Sequence, residues 1–372
     1  MLPVDYVTAR ANRILLVLPS LERGGGERVL LQLARAFLAA GREVHLAVLR
    51  GGGPLRAFVP EGVTLHELVA PGSGSKGLAL AWQAFPKLVS LMRAIRPDAV
   101  LSTMTGTNLL TVLACKRSYS RARLVVREAS SLINARGFFK RKAMRWLYRR
   151  ADMVVVVSSG VAQDLRSLGI PNDQIRVIHN PVDPERLRYL AGAGPVLPNL
   201  DGAPYVIALG RLTEAKDHPT LLRAYAASKL RQSHRLVIVG EGEERANLER
   251  VIHELGIAER VLLAGPLDNP FRMLAGAALL VLPSRWEGYP NVLLEALALN
   301  VPVVATDCQH GPRELLDGGI YGRLVPIGDP IALAHAMDEE LVGPPHSADE
   351  IVAVHALQTI ASCYLAVLDG EP

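Results

Sequence analysis

Two glutamates with a fixed spacing form the strongest candidate for chemistry in this sequence. Glu287 and Glu295 enclose the residues Gly-Tyr-Pro-Asn-Val-Leu-Leu, shortly after an apolar run that ends at Leu282. Gly288 and Pro290 turn the chain, and the first turn of a following helix presents backbone N–H groups that bind anions. One carboxylate can then accept hydrogen bonds from a sugar and the other from a ribose, with a diphosphate on the amides between them. Two solvated glutamates at an ordinary helix start would produce the same spacing.

Two cations in a second motif suit the same ligand. Arg211 and Lys216 belong to the segment Gly-Arg-Leu-Thr-Glu-Ala-Lys, which begins at Gly210 after an apolar run. Because Gly210 has no side chain, the backbone can approach a ligand closely, and two cations beyond the end of a strand fit a diphosphate. Taken alone, Arg211 and Lys216 would be ordinary surface cations.

A run of three glycines at 24–26 lies between an apolar run and a helical pattern at 27–40. Such a loop lets a phosphate or a sugar reach backbone amides. Its spacing matches neither G-x-G-x-x-G nor G-x-x-x-x-G-K-[ST], which disfavours dinucleotide binding and P-loop chemistry. The sequence also contains no Asp-x-Asp, the carboxylate pair that commonly holds a metal on a nucleotide-sugar diphosphate. We therefore expect no metal and no cofactor, with cationic loops neutralising the leaving group.

The segment 136–150, RGFFKRKAMRWLYRR, contains seven basic residues and no acidic one. On a helix, Phe139, Ala143, Trp146 and Leu147 would share one face with the cations around it. This pattern is typical of a helix that lies on an anionic membrane surface. A core-packed helix with a solvated basic face is the alternative. Nucleic-acid binding is disfavoured, because aromatic residues make up only 5% of the chain and no recognition module is present.

The charge of the whole chain is divided unevenly. Residues 1–190 contain 28 Lys and Arg against 13 Asp and Glu, a balance of +15, whereas residues 191–372 contain 13 against 23, a balance of −10. We expect the basic half to face an anionic partner. The residues assigned to an acceptor or to a membrane surface are Arg127, Glu128, Arg136, Lys140, Arg141, Lys142, Arg145 and Arg149.

Short β-branched runs alternate with longer helical patterns, which is typical of βαβ units around parallel sheets. A length of 372 residues, 49% of them hydrophobic, suggests two domains. We predict an α/β fold of two Rossmann-like doubly wound domains that face a central cleft, with the motifs at the carboxyl ends of the strands. The predicted divisions are 1–190, a Gly- and Pro-rich linker at 191–204, 205–345, and a C-terminal helix at 346–372 that crosses back to the first domain. The predicted strands are 13–18, 43–49, 99–102, 123–127, 153–158 and 174–179, then 205–210, 235–240, 261–264, 278–282 and 301–305.

The cysteines and the first apolar run indicate the cellular compartment of the protein. Cys115, Cys308 and Cys363 are widely spaced, so the sequence supports neither a disulfide framework nor a zinc site, and a reducing compartment is expected. The apolar run at 14–18 is too short to span a membrane. We therefore predict a cytoplasmic protein.

Five segments in order carry a family resemblance. They are GGGERV at 24–29, the segment 151–159 leading to HNPVD at 179–183, GRLTEAK at 210–216, GEGEE at 240–244, and the E-x7-E element at 287–295. Their combination, which covers nearly the whole chain, resembles the retaining glycosyltransferases of family four, which have the GT-B fold. The departure from the usual pattern is at 125–130, where many relatives place a histidine and this chain has Arg127 and Glu128. In this respect it is similar to bacterial enzymes that add N-acetylhexosamines to lipid-linked glycans.

The resemblance implies a role for each matching position. Arg211 and Lys216 would hold the diphosphate of a nucleotide sugar, expected to be a UDP-sugar such as a UDP-N-acetylhexosamine. Glu287 would contact the transferred sugar and Glu295 the ribose, while Leu267 would lie near the base. The catalytic residues are then Glu287, Lys216 and Arg211. The full donor-binding set is Gly25, Gly26, Gly210, Arg211, Lys216, Leu267, Glu287, Gly288, Tyr289, Asn291, Val292 and Glu295.

The resemblance implies a metal-independent hexosyltransferase that works on a lipid-linked or surface-glycan acceptor at the inner face of the cytoplasmic membrane. Two alternatives remain open: a sugar-nucleotide 2-epimerase on the same fold, and a non-catalytic nucleotide-sugar-binding protein. His179, His218 and His310 follow predicted strands and are candidates for second roles, for which a structural role is the alternative.

Overall fold

The computed structural model describes residues 10–75, 77–131, 138–194, 202–343 and 346–371, and within them the side chains of 138 and 139 are not described. The chain forms two compact units. Unit 1 comprises the described residues up to Pro181 together with those from Leu357 onward, and unit 2 is Val182–Ala356. The boundary at residue 190 and the linker at 191–204 that the sequence suggested therefore lie within unit 2. The physical reason is that the helix at 184–193 packs on other helices of unit 2.

Thirteen strands are described, and all of their ladders are parallel. Unit 1 contains β1 Arg13–Leu18, β2 Glu43–Arg50, β3 Thr64–Val69, β4 Ala99–Thr103, β5 Arg123–Glu128, β6 Met153–Val156 and β7 Ile175–Val177. Unit 2 contains β8 Tyr205–Leu209, β9 Arg235–Val239, β10 Val261–Gly265, β11 Leu279–Leu282, β12 Val303–Thr306 and β13 Arg323–Val325.

Fourteen α-helices are described. The first seven are α1 Gly25–Ala39, α2 Gly77–Ile95, α3 Thr105–Ser118, α4 Phe138–Tyr148, α5 Ser159–Ser167, α6 Pro184–Ala193 and α7 His218–Ala227. The others are α8 Arg245–Glu254, α9 Phe271–Ala275, α10 Asn291–Ala298, α11 Pro312–Leu315, α12 Pro330–Glu340, α13 Asp349–Val354 and α14 Leu357–Asp369.

The strand order in each sheet places a topological switch point beside its first strand. The order in unit 1 is β3-β2-β1-β4-β5-β6-β7, and the order in unit 2 is β10-β9-β8-β11-β12-β13. Ligands of open α/β sheets bind outside the carboxyl ends of the strands where the order reverses. These positions are the ends of β1 and β4 in unit 1 and the ends of β8 and β11 in unit 2. The confirmed fold is thus two Rossmann-like doubly wound domains.

Several predicted elements differ in the structure. The sequence analysis did not predict β3 or β13. β3 contains the polar residues His66 and Glu67 and lies at a sheet edge, and β13 has only three residues. β6 and β7 are shorter than the apolar runs that predicted them. Helix α1 begins at Gly25 rather than at residue 27. The C-terminal segment forms two helices, of which α13 belongs to unit 2 and α14 to unit 1.

Helix α14 is tied to the sheet of unit 1 by polar contacts around a buried aromatic ring. Tyr364 is fully buried and its hydroxyl accepts a hydrogen bond from Nε of Arg127 at 3.0 Å. Asp369, at the end of the helix, pairs with Arg42 at 2.6 Å. The chain therefore returns to unit 1 as an integral part of that unit's core.

Candidate functional site

Two loops emerge side by side at the switch point of unit 2. β8 and β11 pair in parallel, with Leu279 beside Val206 and Leu280 beside Ile207. The lysine loop, 210–216, follows β8, and the glutamate loop, 283–290, follows β11. Both loops start from the same edge of one sheet, so the two strongest sequence motifs are neighbours in space.

An ion pair joins the two loops. Nζ of Lys216 lies 2.5 Å from Oε1 of Glu287, and the hydroxyl of Ser284 donates to the same oxygen at 2.7 Å. The exposed fractions of the two charged side chains are 19% and 13%, so the pair is only partly hydrated. In such a setting an ion pair is stronger than at an open surface, provided that hydrogen bonds satisfy the charges. The structure therefore holds Lys216 and Glu287 in one fixed arrangement.

A second link between the loops was not predicted. Arg285 donates from Nε to the buried carboxylate of Asp217 at 3.1 Å, and its backbone N–H donates to the carbonyl of Ala215 at 2.8 Å. Asp217 has φ +41°, a left-handed conformation that ends the lysine loop before α7 begins. Asp217 follows Lys216 directly and Arg285 lies two residues before Glu287, but no feature of the sequence indicates that Asp217 and Arg285 form a pair.

Close backbone packing fixes the lysine loop from the other side. The segment 240–244 lies against it, since Leu212 N–H donates to Glu241 at 2.9 Å and Glu244 N–H donates to Leu212 at 3.0 Å. A Cβ at Gly240 would lie 1.8 Å from the carbonyl oxygen of Gly210, and one at Gly242 would lie 2.2 Å from that of Leu212. Both positions therefore require glycine, which explains the GEGEE pattern.

The helix that follows the glutamate loop presents its N-terminus at this edge. α10 begins at Asn291, and Pro290 at the N-cap provides no side-chain hydrogen bond to the first turn. Val292 and Glu295 are both half-buried. Glu295 lies about 6 Å along the helix axis from Asn291, given a rise of roughly 1.5 Å per residue. The first turn of α10, whose backbone N–H groups can bind an anion, thus begins directly after the glutamate loop.

The remaining predicted residues of unit 2 lie at different distances from the ion pair. Arg211 is exposed directly after Gly210, at the start of the lysine loop. Leu267 is half-buried beyond β10, which is separated from β8 by one strand. Tyr289 corrects a prediction, because its side chain is buried and its hydroxyl bonds to Nε2 of His355. Only the backbone of Tyr289 is therefore placed to contact a ligand at this edge.

Buried groups behind the ion pair were missed by sequence reasoning. Thr306 donates to the carbonyl of Ser284 at 2.5 Å, which supports the residue that bonds to Glu287. Burial, together with the charge of Glu287, raises the pKa of the Cys308 thiol to about 12. Ser284 follows β11, Thr306 ends β12 and Cys308 follows it, and none belongs to a motif, so only the fold brings them to the site.

His218 lies buried at the start of α7, two residues after Lys216. Burial and the nearby Lys216 charge lower its pKa to about 3, so its ring is neutral at physiological pH. Among the residues that the structure describes, none forms a hydrogen bond with its Nδ1 atom. His218 thus contributes an uncharged ring beneath the lysine loop. The other two candidate histidines, His179 and His310, are half-buried.

In unit 1, Gly25 and Gly26 form the first turn of α1, at the switch point. A Cβ at Gly26 would lie 3.9 Å from the Arg127 guanidinium. That guanidinium is fully buried and also donates to Thr103 at 2.9 Å and to Asn180 at 2.5 Å. It therefore supports the switch point from within the unit.

Glu128 is also fully buried, so the assignment of Arg127 and Glu128 to a membrane surface was wrong. Glu128 accepts hydrogen bonds from Tyr148 at 2.7 Å and from Thr105 at 2.9 Å. Burial raises its pKa, and burial together with the Glu128 carboxylate raises the pKa of Tyr148 well above its usual value. The physical reason for the correction is that neighbouring strand residues point to opposite faces, and helices cover both faces of this sheet.

Helix α4 carries the basic segment, and the described residues of its predicted apolar face are divided between the interior and the surface. Met144, Leu147 and Tyr148 are buried, whereas Trp146 is 52% exposed. The Arg150 guanidinium lies 3.6 Å from the centre of the Trp146 ring, and Nζ of Lys116 lies 5.6 Å from it. Leu147 thus packs into the interior of unit 1, whereas Trp146 lies at its surface. Arg136 and the side chain of Phe139 lie outside the described residues. The described predicted cations of the helix are all exposed, namely Lys140, Arg141, Lys142 and Arg145, and Arg149, directly after the helix, is exposed as well.

Two absences can be stated for the described residues. They contain no group of three or more His, Cys, Asp or Glu side chains arranged to hold a metal. Within the described ranges, no helix combines the length and apolar character that a membrane span requires.

Comparison with known proteins assigns the chain to a family. The model described as Glycosyltransferase Family 4 matches residues 23–186, and that described as Glycosyl transferases group 1 matches residues 203–341. An N-acetylgalactosaminyltransferase of Campylobacter jejuni, named for the acceptor N-acetylgalactosamine-N,N'-diacetylbacillosaminyl-diphospho-undecaprenol, is 30% identical over 319 residues, 83% of this chain and 84% of that protein. The chain belongs to glycosyltransferase family 4.

Two further relatives of this family 4 glycosyltransferase extend the comparison over nearly its full length. The lipopolysaccharide core biosynthesis glycosyltransferase LpsE of Rhizobium meliloti is 28% identical and covers 94% of this chain and 97% of its own. The crystal structure of Anabaena HepE, in complex with UDP-glucose, superposes with a TM-score of 0.79 at 20% identity and covers 96% and 99%. The architecture is thus that of GT-B glycosyltransferases.

The low pKa of His218 predicts a pH dependence of stability for the family 4 enzyme. Below the ordinary histidine pKa of 6.5, the unfolded chain binds a proton at this position that the folded chain does not bind until about pH 3. The free energy of unfolding should therefore fall as the pH decreases from 6.5, with a contribution approaching about 1.4 kcal/mol per pH unit. Urea unfolding at pH 7, 6 and 5 measures this slope.

His218→Leu should remove that contribution, and His253→Leu, which replaces an exposed histidine, serves as the matched control. An identical pH slope in wild type and His218→Leu would contradict a neutral buried His218.

Proposed function

We propose that this enzyme transfers a sugar from a UDP-sugar donor to a hydroxyl of a lipid-linked or surface-glycan acceptor, with retention of the anomeric configuration. The observation that carries the proposal is the Lys216–Glu287 pair beside the N-terminus of α10. The names of relatives support the substrate classes: the Campylobacter protein is named for N-acetylgalactosamine transfer to a diphospho-undecaprenol acceptor, and HepE was solved with UDP-glucose. A UDP-N-acetylhexosamine is accordingly the first donor to test.

The cations of unit 2 would stabilise the leaving group. Lys216 has three N–H donors, so it can retain Glu287 and still contact a phosphate oxygen. Arg211 is exposed at the start of the same loop, and the first-turn amides of α10 add partial positive charge. Charge that develops on the diphosphate as the bond from the anomeric carbon to oxygen lengthens would then meet groups already in position. This supports transfer without a metal.

The transfer requires no covalent enzyme intermediate. The acceptor oxygen forms a bond to the anomeric carbon on the face from which UDP departs, and a phosphate oxygen of the donor takes the acceptor proton. Glu287 would accept hydrogen bonds from the sugar with the lone pairs that Lys216 and Ser284 do not use. Glu295, further along α10, would accept from the ribose.

Removing the ammonium of Lys216 should lower turnover. Lys216→Met and Glu287→Gln are each expected to reduce sugar transfer by about 10²–10³-fold, the usual effect of losing one group that stabilises transition-state charge. The measurement is transfer of radiolabelled sugar from UDP-N-acetylhexosamine to a polyprenyl-diphosphate glycan. Lys229→Met, which replaces an exposed lysine of the same unit, is the control.

Near wild-type turnover in Lys216→Met would refute the assignment of Lys216. A donor epimerised at C2 in the absence of acceptor would instead favour the 2-epimerase. Binding of UDP-sugar without any turnover would favour a non-catalytic binding protein.

We further propose that unit 1 docks on an anionic membrane surface, so that the enzyme is peripheral at the inner face of the cytoplasmic membrane. Residues 71–151 contain 16 Lys and Arg and only two acidic residues, Asp98 and Glu128. Glu128 is buried and does not offset the exposed cations of α4. An anionic lipid surface attracts such a segment with about 1 kcal/mol per nearby cation.

Helix α2 adds exposed apolar side chains to the same unit. Leu78 is 90% exposed and Trp82 is 85% exposed, and they lie one turn apart on one face of the helix. α2 packs on α3, and α3 packs on α4. Each of these helices follows a parallel strand and therefore begins at the carboxyl end of the sheet. The apolar turn of α2 and the cations of α4 thus belong to one helical layer.

Charge and apolar variants should weaken vesicle binding in different ways. Lys140→Gln combined with Arg141→Gln and Arg145→Gln should reduce sedimentation with phosphatidylglycerol vesicles by about 100-fold in affinity, because about 1 kcal/mol per cation is lost. Leu78→Gln combined with Trp82→Gln should reduce binding at both low and high salt. Val342→Gln, at a position 86% exposed in unit 2, is the matched apolar control. Equal binding of wild type to neutral and anionic vesicles, or no binding, would contradict the proposal.

A further inference from the structure

The chain passes between its two units at two places that lie beside each other. One passage follows Pro181 and the other follows Ala356. The N–H of Val182 donates to the carbonyl of His355 at 2.8 Å, and Val182 and Ala356 form a parallel bridge. We name these three residues the paired crossing. All three residues belong to unit 2, and the hydrogen bond and the bridge hold the two segments side by side.

The ring of His355 forms a hydrogen bond at each of its nitrogens. Nδ1 lies 2.7 Å from the carbonyl of Ile351, which can only accept, so Nδ1 carries the hydrogen. In the neutral ring, Nε2 then accepts the hydrogen bond from the Tyr289 hydroxyl. The two rings also stack, with centroids 5.6 Å apart and planes 20° from parallel. His355 is 2% exposed, which makes this a buried and specific contact.

Tyr289 belongs to the glutamate loop, so the loop cannot move far unless the side chain of Tyr289 moves with it. Burial raises the pKa of the Tyr289 hydroxyl, which therefore stays a donor. A Cβ at Gly311 would lie 2.6 Å from Pro290 and 3.1 Å from the Cα of Tyr289. The loop thus packs closely against the backbone at Gly311 and also contacts the ring of His355. α10, with the amides expected to hold the diphosphate, begins two residues after Tyr289.

We propose that His355 is a positioning residue, and that its hydrogen bond with Tyr289 couples occupancy of the donor site to the paired crossing. The inference rests on the proposed function, because it takes the first turn of α10 as the site of the donor diphosphate. A ligand that orders the glutamate loop then stabilises His355, and with it the Val182 hydrogen bond. By thermodynamic linkage the coupling is reciprocal, so a loosened crossing lowers donor affinity.

Two measurements on the full-length protein test the coupling. Calorimetric titration with UDP gives the affinity, and amide hydrogen exchange of the peptide that contains Val182, with and without UDP, gives the response of the crossing. In wild type, UDP should slow exchange at Val182. Tyr289→Phe, which keeps the ring and removes the hydroxyl, should weaken UDP binding by about 5–10-fold, the loss of roughly one buried hydrogen bond. It should also abolish the protection of Val182 by UDP.

Further variants separate coupling from stability. His355→Phe keeps a ring but lacks an acceptor and should behave like Tyr289→Phe, and the double variant should be no worse than either. His355→Gln restores an acceptor and should recover part of the UDP affinity and part of the protection of Val182. The comparison of His355→Gln with His355→Phe also tests the coupling if Tyr289→Phe fails to fold. Tyr225→Phe is the matched control, because Tyr225 is fully buried and donates to His234 at 2.7 Å away from the glutamate loop.

The outcomes distinguish the two proposals. If wild type does not bind UDP, the proposed function fails. If wild type binds UDP and Tyr289→Phe or His355→Phe retains both the affinity and the protection of Val182, the coupling is overturned while the proposed function stands.

Discussion

The ion pair between Lys216 and Glu287 is the contact on which the site of unit 2 depends. Its two charges lie in separate loops, so it exists only because β8 and β11 are neighbours at the switch point. A partly buried carboxylate is costly unless it is neutralised and hydrogen-bonded. Here an ammonium and the Ser284 hydroxyl share one oxygen, and the Arg285–Asp217 pair holds the same two loops together. The cation proposed to meet the diphosphate is therefore fixed before any ligand arrives.

The sequence predicted the fold and the centre of this site because both rest on local patterns. Apolar runs identified eleven of the thirteen described strands, and motif residues directly after two of them identified the lysine and glutamate loops. Polar edge strands such as β3 carry no apolar run and were missed. The supporting residues Ser284, Asp217 and Arg285 could not be assigned, because their partners come from a different loop and no spacing records the pairing.

Side-chain direction accounts for the corrections. Arg127 and Glu128 are adjacent charged residues that would be exposed in most settings, yet in a parallel sheet covered on both faces each lies in the interior. Tyr289 stands within the strongest motif but turns inward to His355, more than sixty residues later in the chain. On α4 the helix was predicted, but its sequence could not show that Met144, Leu147 and Tyr148 are the buried side chains, because only packing against other elements such as α3 selects the buried face. In each case the sequence indicated the chemical type of the residue but not the residue that it contacts.

Calorimetric titration of UDP and of uridine into wild type and Lys216→Met tests whether Lys216 binds the donor diphosphate. We expect wild type to bind UDP at least tenfold more tightly than uridine, since a charge-assisted contact contributes about 1.5–3 kcal/mol, and we expect the variant to lose most of this preference. The same preference for UDP over uridine in Lys216→Met would show that Lys216 does not bind the diphosphate.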